Sequence, residues 1–309
     1  MRATIASVSR LFTLVERTPL HRRGIRAFRA VVGVALLFRV ITEIRYASLL
    51  WGPGGFGYGS QRRAFGDLLG GLLDRVFDYQ FGPHVLLCIE GVGALCLMFG
   101  RWERVAGAVT WLCVFCLGTR LPDMLDGGDN VCTLALMFSV LLLPSRDAGA
   151  GRFAIWCHNI GVGLLWFQIC LLYFTAGTMK LAGGVWRDGT ALYYISNVKW
   201  FAHPWSMAIF KYALPATIAA YATMIHQIWF PIAVFTRLRL FWLVFGMAFH
   251  IAIAMFMGLI TFSCFMVALE LVLIDDRQYA WIGAHLTRGR ERCRGWLVRR
   301  RALPARSGT

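Results

Sequence analysis

Few side chains in this sequence are able to carry acid–base chemistry inside an apolar setting, and Lys180 leads them. The chain has three lysines among its 32 lysines and arginines, and Lys180, Lys199 and Lys211 all fall in one region. Lys180 ends the run from Ile155 to Met179, which contains no Lys, Arg, Asp or Glu. Moving an ammonium toward a low dielectric favours its neutral amine, and a neutral lysine is a base or a nucleophile. The competing role is an anchor that snorkels to the membrane surface.

Glu43, Glu90, Asp129 and His250 are the other candidates. Counted along their helices at about 1.5 Å per residue, they and Lys180 lie within about 10 Å of the same membrane boundary, so one shared cavity is expected. Carboxylates, a lysine and an imidazole in an apolar pocket are the ingredients of proton transfer, with Lys180 as base and His250 or a carboxylate such as Asp129 tuning it. Each also has a plainer role: Asp129 as a helix N-cap, Glu90 paired with a hydroxyl, His250 as a packing residue. His226 reads as structural, and Glu270 is placed on the opposite half, away from the site. Cys113 and Cys116 form a C-x-x-C, but no second pair follows it, so it reads as helix packing and no metal site is expected.

These residues need elements to position them. A chain of 309 residues that is 58% hydrophobic and 16% charged, with several apolar runs near the length of a span, reads as an all-α polytopic integral membrane protein. A helical bundle of about eight spans is expected: 25–50, 83–99, 105–121, 131–143, 155–179, 212–235, and two within 238–274. That last stretch would exceed about 50 Å as one helix, against a hydrocarbon core of about 30 Å, so Gly258 is taken as a hairpin. Arg39 and Glu43 stand at i,i+4 in the first span and should face the bundle interior. Pro215 and Pro231 should break the sixth span. Residues 51–81 read as an extramembrane loop carrying one short interfacial helix, and 180–211 as a loop. Residues 1–24 form a basic amphipathic interfacial segment, 25–275 the transmembrane domain, and 276–309 a basic tail. No signal peptide is read at the N-terminus.

Charge sets the orientation. The short loops assigned to the inner face each carry a pair of arginines, Arg101 and Arg104, Arg146 and Arg152, Arg237 and Arg239. The positive-inside rule therefore places both termini in the cytoplasm of a multi-pass cell-membrane protein. Most of the net charge of +16 then lies on that face, where it attracts anionic membrane lipids. No nucleic-acid-binding module accompanies the charge, so nucleic acid is not expected as a partner.

Several segments resemble a known family: YFTAGTMKLAGGVWRDGTALYY from Tyr173 to Tyr194, DGGDNVCTLALMF with its terminal LLLP, LFRVITEIRY, HQIWFP, and FGMAFHIAIAMFMGLITF. They look like the horizontally transferred transmembrane (HTTM) domain, which includes the membrane part of vitamin K-dependent gamma-carboxylase, and are most similar to a bacterial branch that includes sporulation-delaying protein B. The resemblance runs from about residue 29 to 275. It implies that Lys180 matches the base that deprotonates the carboxylase's hydroquinone cofactor and that His250 matches a histidine of a later helix. Asp129 and Asn130 stand where the carboxylase has Asn-His. Glu43, Glu90 and Trp186 are candidates for the pocket, while a quinone-like lipid cofactor and an exported peptide as substrate or partner are implied by the resemblance. So is the alternative, a non-enzymatic accessory that binds an exported peptide, in which Lys180 is dispensable and the 51–81 loop is not.

Overall fold

The computed structural model describes residues 17–145, 149–200 and 202–301, and among them it is helical with no strand. The expected interfacial helix at 2–16 and the last residues of the basic tail lie outside the described residues. The helices are α1 Arg22–Glu43, α2 Ala47–Trp51, α3 Arg62–Asp78, α4 Gly82–Phe99, α5 Glu103–Arg120, α6 Gly127–Ser139 and α7 Arg152–Ala182. They continue with α8 Gly184–Arg187, α9 Ala191–Ser196, α10 Pro204–Phe210, α11 Ala213–Ala233, α12 Arg239–Met257, α13 Ile260–Leu273 and α14 Asp276–Arg301.

Three of the described helices are long and apolar enough to cross a membrane: α4, α7 and α12. A fourth span results if α10 and α11, bent by 99° at their junction, count as one. The expectation of eight spans is thus met only in part by length and composition. The reasons are local: α6 and α13 have 13 and 14 residues, and α1 carries Arg22, Arg23, Arg26, Arg29, Arg39 and Glu43.

The bundle is built around α1 and α13. Helix α1 packs against α4 on one side and α13 on the other, and α13 also meets α6, α7 and α12. Glycines permit the two close approaches of α1: a Cβ on Gly33 would stand 2.5 Å from the Ala94 carbonyl oxygen of α4, and one on Gly24 would stand 2.8 Å from that of Leu271 in α13. Phe28, Leu36, Leu136, Leu165, Phe230 and Leu269 are among the buried apolar side chains that fill the common core. Of the nineteen residues of α12, only Leu243, Gly246 and His250 are buried, so an apolar helix turns most of its surface outward, as a lipid-facing helix does.

One end of the bundle gathers the starts of α1 and α14. Asp276 accepts from the Arg22 and Arg23 backbone N–H groups at 3.1 and 2.8 Å. Just inside, the buried Arg29 is paired with Glu103 and donates to the Leu143 carbonyl at 2.9 Å, while Ser145 N–H donates to Glu103 at 2.9 Å. The opposite end holds the loops after α1 and α5 and the short helices α8 to α10.

Several local expectations are corrected. The first helix ends at Glu43, and a 3-10 turn and α2 carry the chain on to Trp51. The 51–81 stretch holds the 17-residue α3, interrupted at Gly66 (φ 73°), and is tied to the bundle by Gln61 Nε2 donating to the Cys116 carbonyl and by Tyr58 and Gly59 N–H groups donating to that of Arg120. Residues 180–211 contain α8, α9 and α10 where a loop was expected. Pro215 does not break α11 because it falls in the first turn, where the N–H it lacks has no helical partner, and α11 also continues through Pro231. The chain does turn at Gly258, whose φ of 69° suits glycine.

Candidate functional site

The single expected cavity is divided among three places. The first is a hydrogen-bonded chain of side chains from three helices. Tyr173 of α7 donates its hydroxyl hydrogen to Glu270 of α13, and its oxygen stands 2.8 Å from Nε2 of His250 in α12. Tyr173, His250 and Glu270 are 0%, 1% and 0% exposed, so the chain is closed to bulk water. Gly246, one turn before His250, makes room for it: a Cβ there would lie 2.3 Å from a Glu270 carboxylate oxygen.

Such a chain has two complementary proton arrangements. With Glu270 ionised, the Tyr173 O–H donates to it and the tyrosine oxygen accepts N–H from His250. With Glu270 protonated, its O–H donates to the tyrosine, whose own hydrogen turns to His250. Exchange between the two moves one proton from Nε2 of His250 through the tyrosine to Glu270, so it converts an imidazolium, with Nδ1 also protonated, and a carboxylate into a neutral imidazole and a neutral acid. His226 of α11 borders this chain, its ring 5.3 Å from that of Tyr173 and stacked on Trp242 at 5.5 Å.

Next to the imidazoles lies an apolar cavity of about 270 Å³ between α9, α10, α11 and α12. Phe245 and Phe249 line it and also touch the histidines, with ring centroids 4.8 and 5.9 Å from that of His226 and, for Phe249, 5.1 Å from that of His250. The hydroxyls on its wall, Ser196, Ser206 and Thr223, donate to the backbone carbonyls of Tyr193, His203 and Ala219. The wall therefore offers apolar surface and hydroxyl lone pairs.

The second place is the guanidinium of Arg39. Glu43 of the same helix accepts from Nε at 3.1 Å, as the i,i+4 spacing predicts, and Arg39 is buried in the bundle. Glu90 of α4 and Asp129 of α6 each stand 3.8 Å from Nη1. The three candidate carboxylates thus do meet, around a cation. Asp129 is not the N-cap of α6: Asp126 is, and Asp129 is its third helical residue, the two exchanging reciprocal hydrogen bonds of 3.0 Å. Glu90 pairs with this cation, not with a hydroxyl.

Lys180 occupies the third place. It lies two turns beyond Tyr173 on α7, where the buried stripe gives way to the exposed Met179 and Leu181. Its ammonium is 5.1 Å from the centre of the Trp186 ring and 3.4 Å from the Ala176 carbonyl oxygen. No ion pair joins it to a carboxylate among the described residues, and its contacts do not include His250. The expectation of a shared chamber fails for Lys180 and Trp186 because depth fixes one coordinate only. Helix order fixes the others, and α1, α4 and α6 lie on one side of α13 while α7 and α12 meet it elsewhere.

Glu270 and Tyr173 are the functional candidates that sequence reasoning missed. The hairpin arithmetic held the signal: Glu270 lies twelve residues after Gly258 and His250 eight before it, a depth difference of about 6 Å that two side chains span. Cys113 and Cys116 are free, buried thiols on α5.

Comparison with protein-family models, with curated proteins and with solved structures returns no match.

Proposed function

We propose that this chain is a multi-pass cell-membrane protein of the HTTM kind that binds a lipid-soluble ligand in the cavity beside α12 and exchanges a proton with it through His250, Tyr173 and Glu270. The observation that carries this reading is the closed hydrogen-bonded chain behind an apolar cavity. In this reading α1, α4, α5, α6, α7, α11, α12 and α13 are the eight spans, with α6 and α13 short enough to need partial immersion. The end where α1 and α14 begin is cytoplasmic, as its arginines favour. A quinone-like lipid suits the cavity: its tail matches the apolar wall and its ring oxygen would take or give the proton. An exported peptide is the substrate class that the family resemblance suggests. Lys180, with Trp186, has the contacts of an interfacial anchor, so the proton work falls to the buried relay.

The test is ligand content. Full-length protein extracted in mild detergent should carry an apolar lipid or quinone, detected by mass spectrometry of the organic extract, and Ala252→Trp, which fills the cavity, should empty it. A wild-type extract no richer than that of Ala252→Trp would remove the reading. For the relay, Glu270→Gln should still bind a prenylated hydroquinone but lose any spectral shift that marks its deprotonation.

A second reading has its own observation. On α3, Leu68, Leu69 and Leu72 are all exposed, Leu68 at 84%. A non-enzymatic accessory would use that apolar face to hold an exported peptide. Leu68→Asp should then abolish peptide capture while Glu270→Gln leaves it intact, the reverse of the pattern above.

A further inference from the structure

The carboxylates around Arg39 are unequal, and the inequality has a direction. Glu90 approaches from the buried side: it is 0% exposed, neither of its carboxylate oxygens has a hydrogen-bond partner among the described residues, and Oε1 is aimed at the guanidinium. The guanidinium's nearest carboxylate is Glu43, which accepts from Nε at 3.1 Å, and Glu90 adds a second from inside the bundle. Glu43 and Asp129 stand on the other side with 33% and 22% of their side chains exposed, and they line a cavity of about 390 Å³ together with Arg39. Two of the three carboxylates around the one guanidinium thus border this cavity.

The rest of the lining says what kind of cation it suits. Leu49, Leu50, Leu117, Leu121 and Met124 supply an apolar wall, and Tyr46 and Trp51 add aromatic rings. Trp51 is pinned by its indole N–H donating to the Leu117 carbonyl at 3.0 Å. Tyr46 already has a cation over its face, the Arg45 guanidinium at 4.7 Å from the ring centre. The carboxylates converge on Arg39 and not on a common point, and no group of three or more His, Cys, Asp or Glu among the described residues is arranged to hold a metal ion. A hard inorganic cation also gains nothing from leucines.

We propose that this cavity is a binding site for an organic ammonium carried on an apolar body, with Glu43 and Asp129 receiving the charge and Tyr46, Trp51 and the leucines receiving the body. The chemistry is shared by a small lipophilic amine and by the free N-terminus of an apolar peptide. The site is separate from the cavity beside α12, and its failure would leave the relay untouched.

Full-length protein in nanodiscs is titrated with a dansyl-tagged pentylamine, with empty nanodiscs as the blank. Saturable binding is expected, at least tenfold weaker for the N-acetylated probe and at least tenfold weaker in Glu43→Gln and Asp129→Asn. Leu125→Trp, which fills the cavity without altering its charge, should abolish binding while elution volume and helical content stay those of wild type, so a poorly folded carboxylate variant does not decide the outcome. Competition by a short apolar peptide with a free amine, and not by its acetylated form, assigns the peptide as source; competition by pentylamine alone assigns a small amine. Equal binding of the acetylated probe, full binding in Leu125→Trp, or displacement by sodium or calcium at millimolar concentration would overturn the proposal.

Discussion

Single residues in this protein are held by what surrounds them more than by their own preferences. Arg29, the largest fully buried side chain among the described residues, is paired with Glu103 and donates to two backbone carbonyls, those of Leu142 and Leu143. Removing one partner leaves the other charge uncompensated in a dry core, so Arg29→Met alone should cost about 3–5 kcal/mol, whereas Arg29→Met with Glu103→Leu should recover most of it. Chemical unfolding in detergent, followed by circular dichroism, checks both. Lys180 has the opposite character. Its contacts are one ring and one carbonyl at a half-buried helix end, so Lys180→Met should change stability by less than about 1 kcal/mol in the same assay. Gly246→Ala tests the relay without replacing a titratable group, since the added methyl must displace the Glu270 carboxylate. The variant should lose the same hydroquinone signature as Glu270→Gln while Gly163→Ala, where nothing lies within 4 Å of the new methyl, keeps it.

At the scale of elements, glycine positions decide which helices touch. Gly33→Leu should push α1 from α4 and cost about 1–3 kcal/mol, read as a lowered midpoint in thermal unfolding, because the Ala94 backbone cannot move aside as a side chain would. Much of this level was legible in advance. Apolar runs gave the positions of α1, α4, α5, α6, α7, α11 and α12, Gly258 gave the turn before α13, and the i,i+4 spacing gave the Arg39–Glu43 pair. What escaped were the full length of α3, expected only as one short helix, and the stubs α8 to α10. Helix α3 mixes Asp67, Asp74, Arg75 and Asp78 with leucines, and α8 to α10 are stubs of four to seven residues whose helicity comes from packing on α11 and α12.

For the molecule as a whole, sequence reasoning assigned each polar group a depth but not an azimuth. It therefore grouped Lys180, His250, Glu43, Glu90 and Asp129 by height, where the fold sorts them by helix neighbourhood into a relay, a charged cluster and an isolated amine. Glu270, set apart from the site in that reading, belongs to α13, whose central place could not be read from hydropathy.

That central place bears on biogenesis. Helix α1 precedes α13 by most of the described chain, yet the groove cut by Gly24 is filled by Leu271 and Val272. In the eight-span reading proposed above, α13 with its fourteen residues would need partners already in the bilayer to draw it in. The groove of α1 thus stays uncovered until α13 is made, and chains released before then would be the ones that quality control degrades.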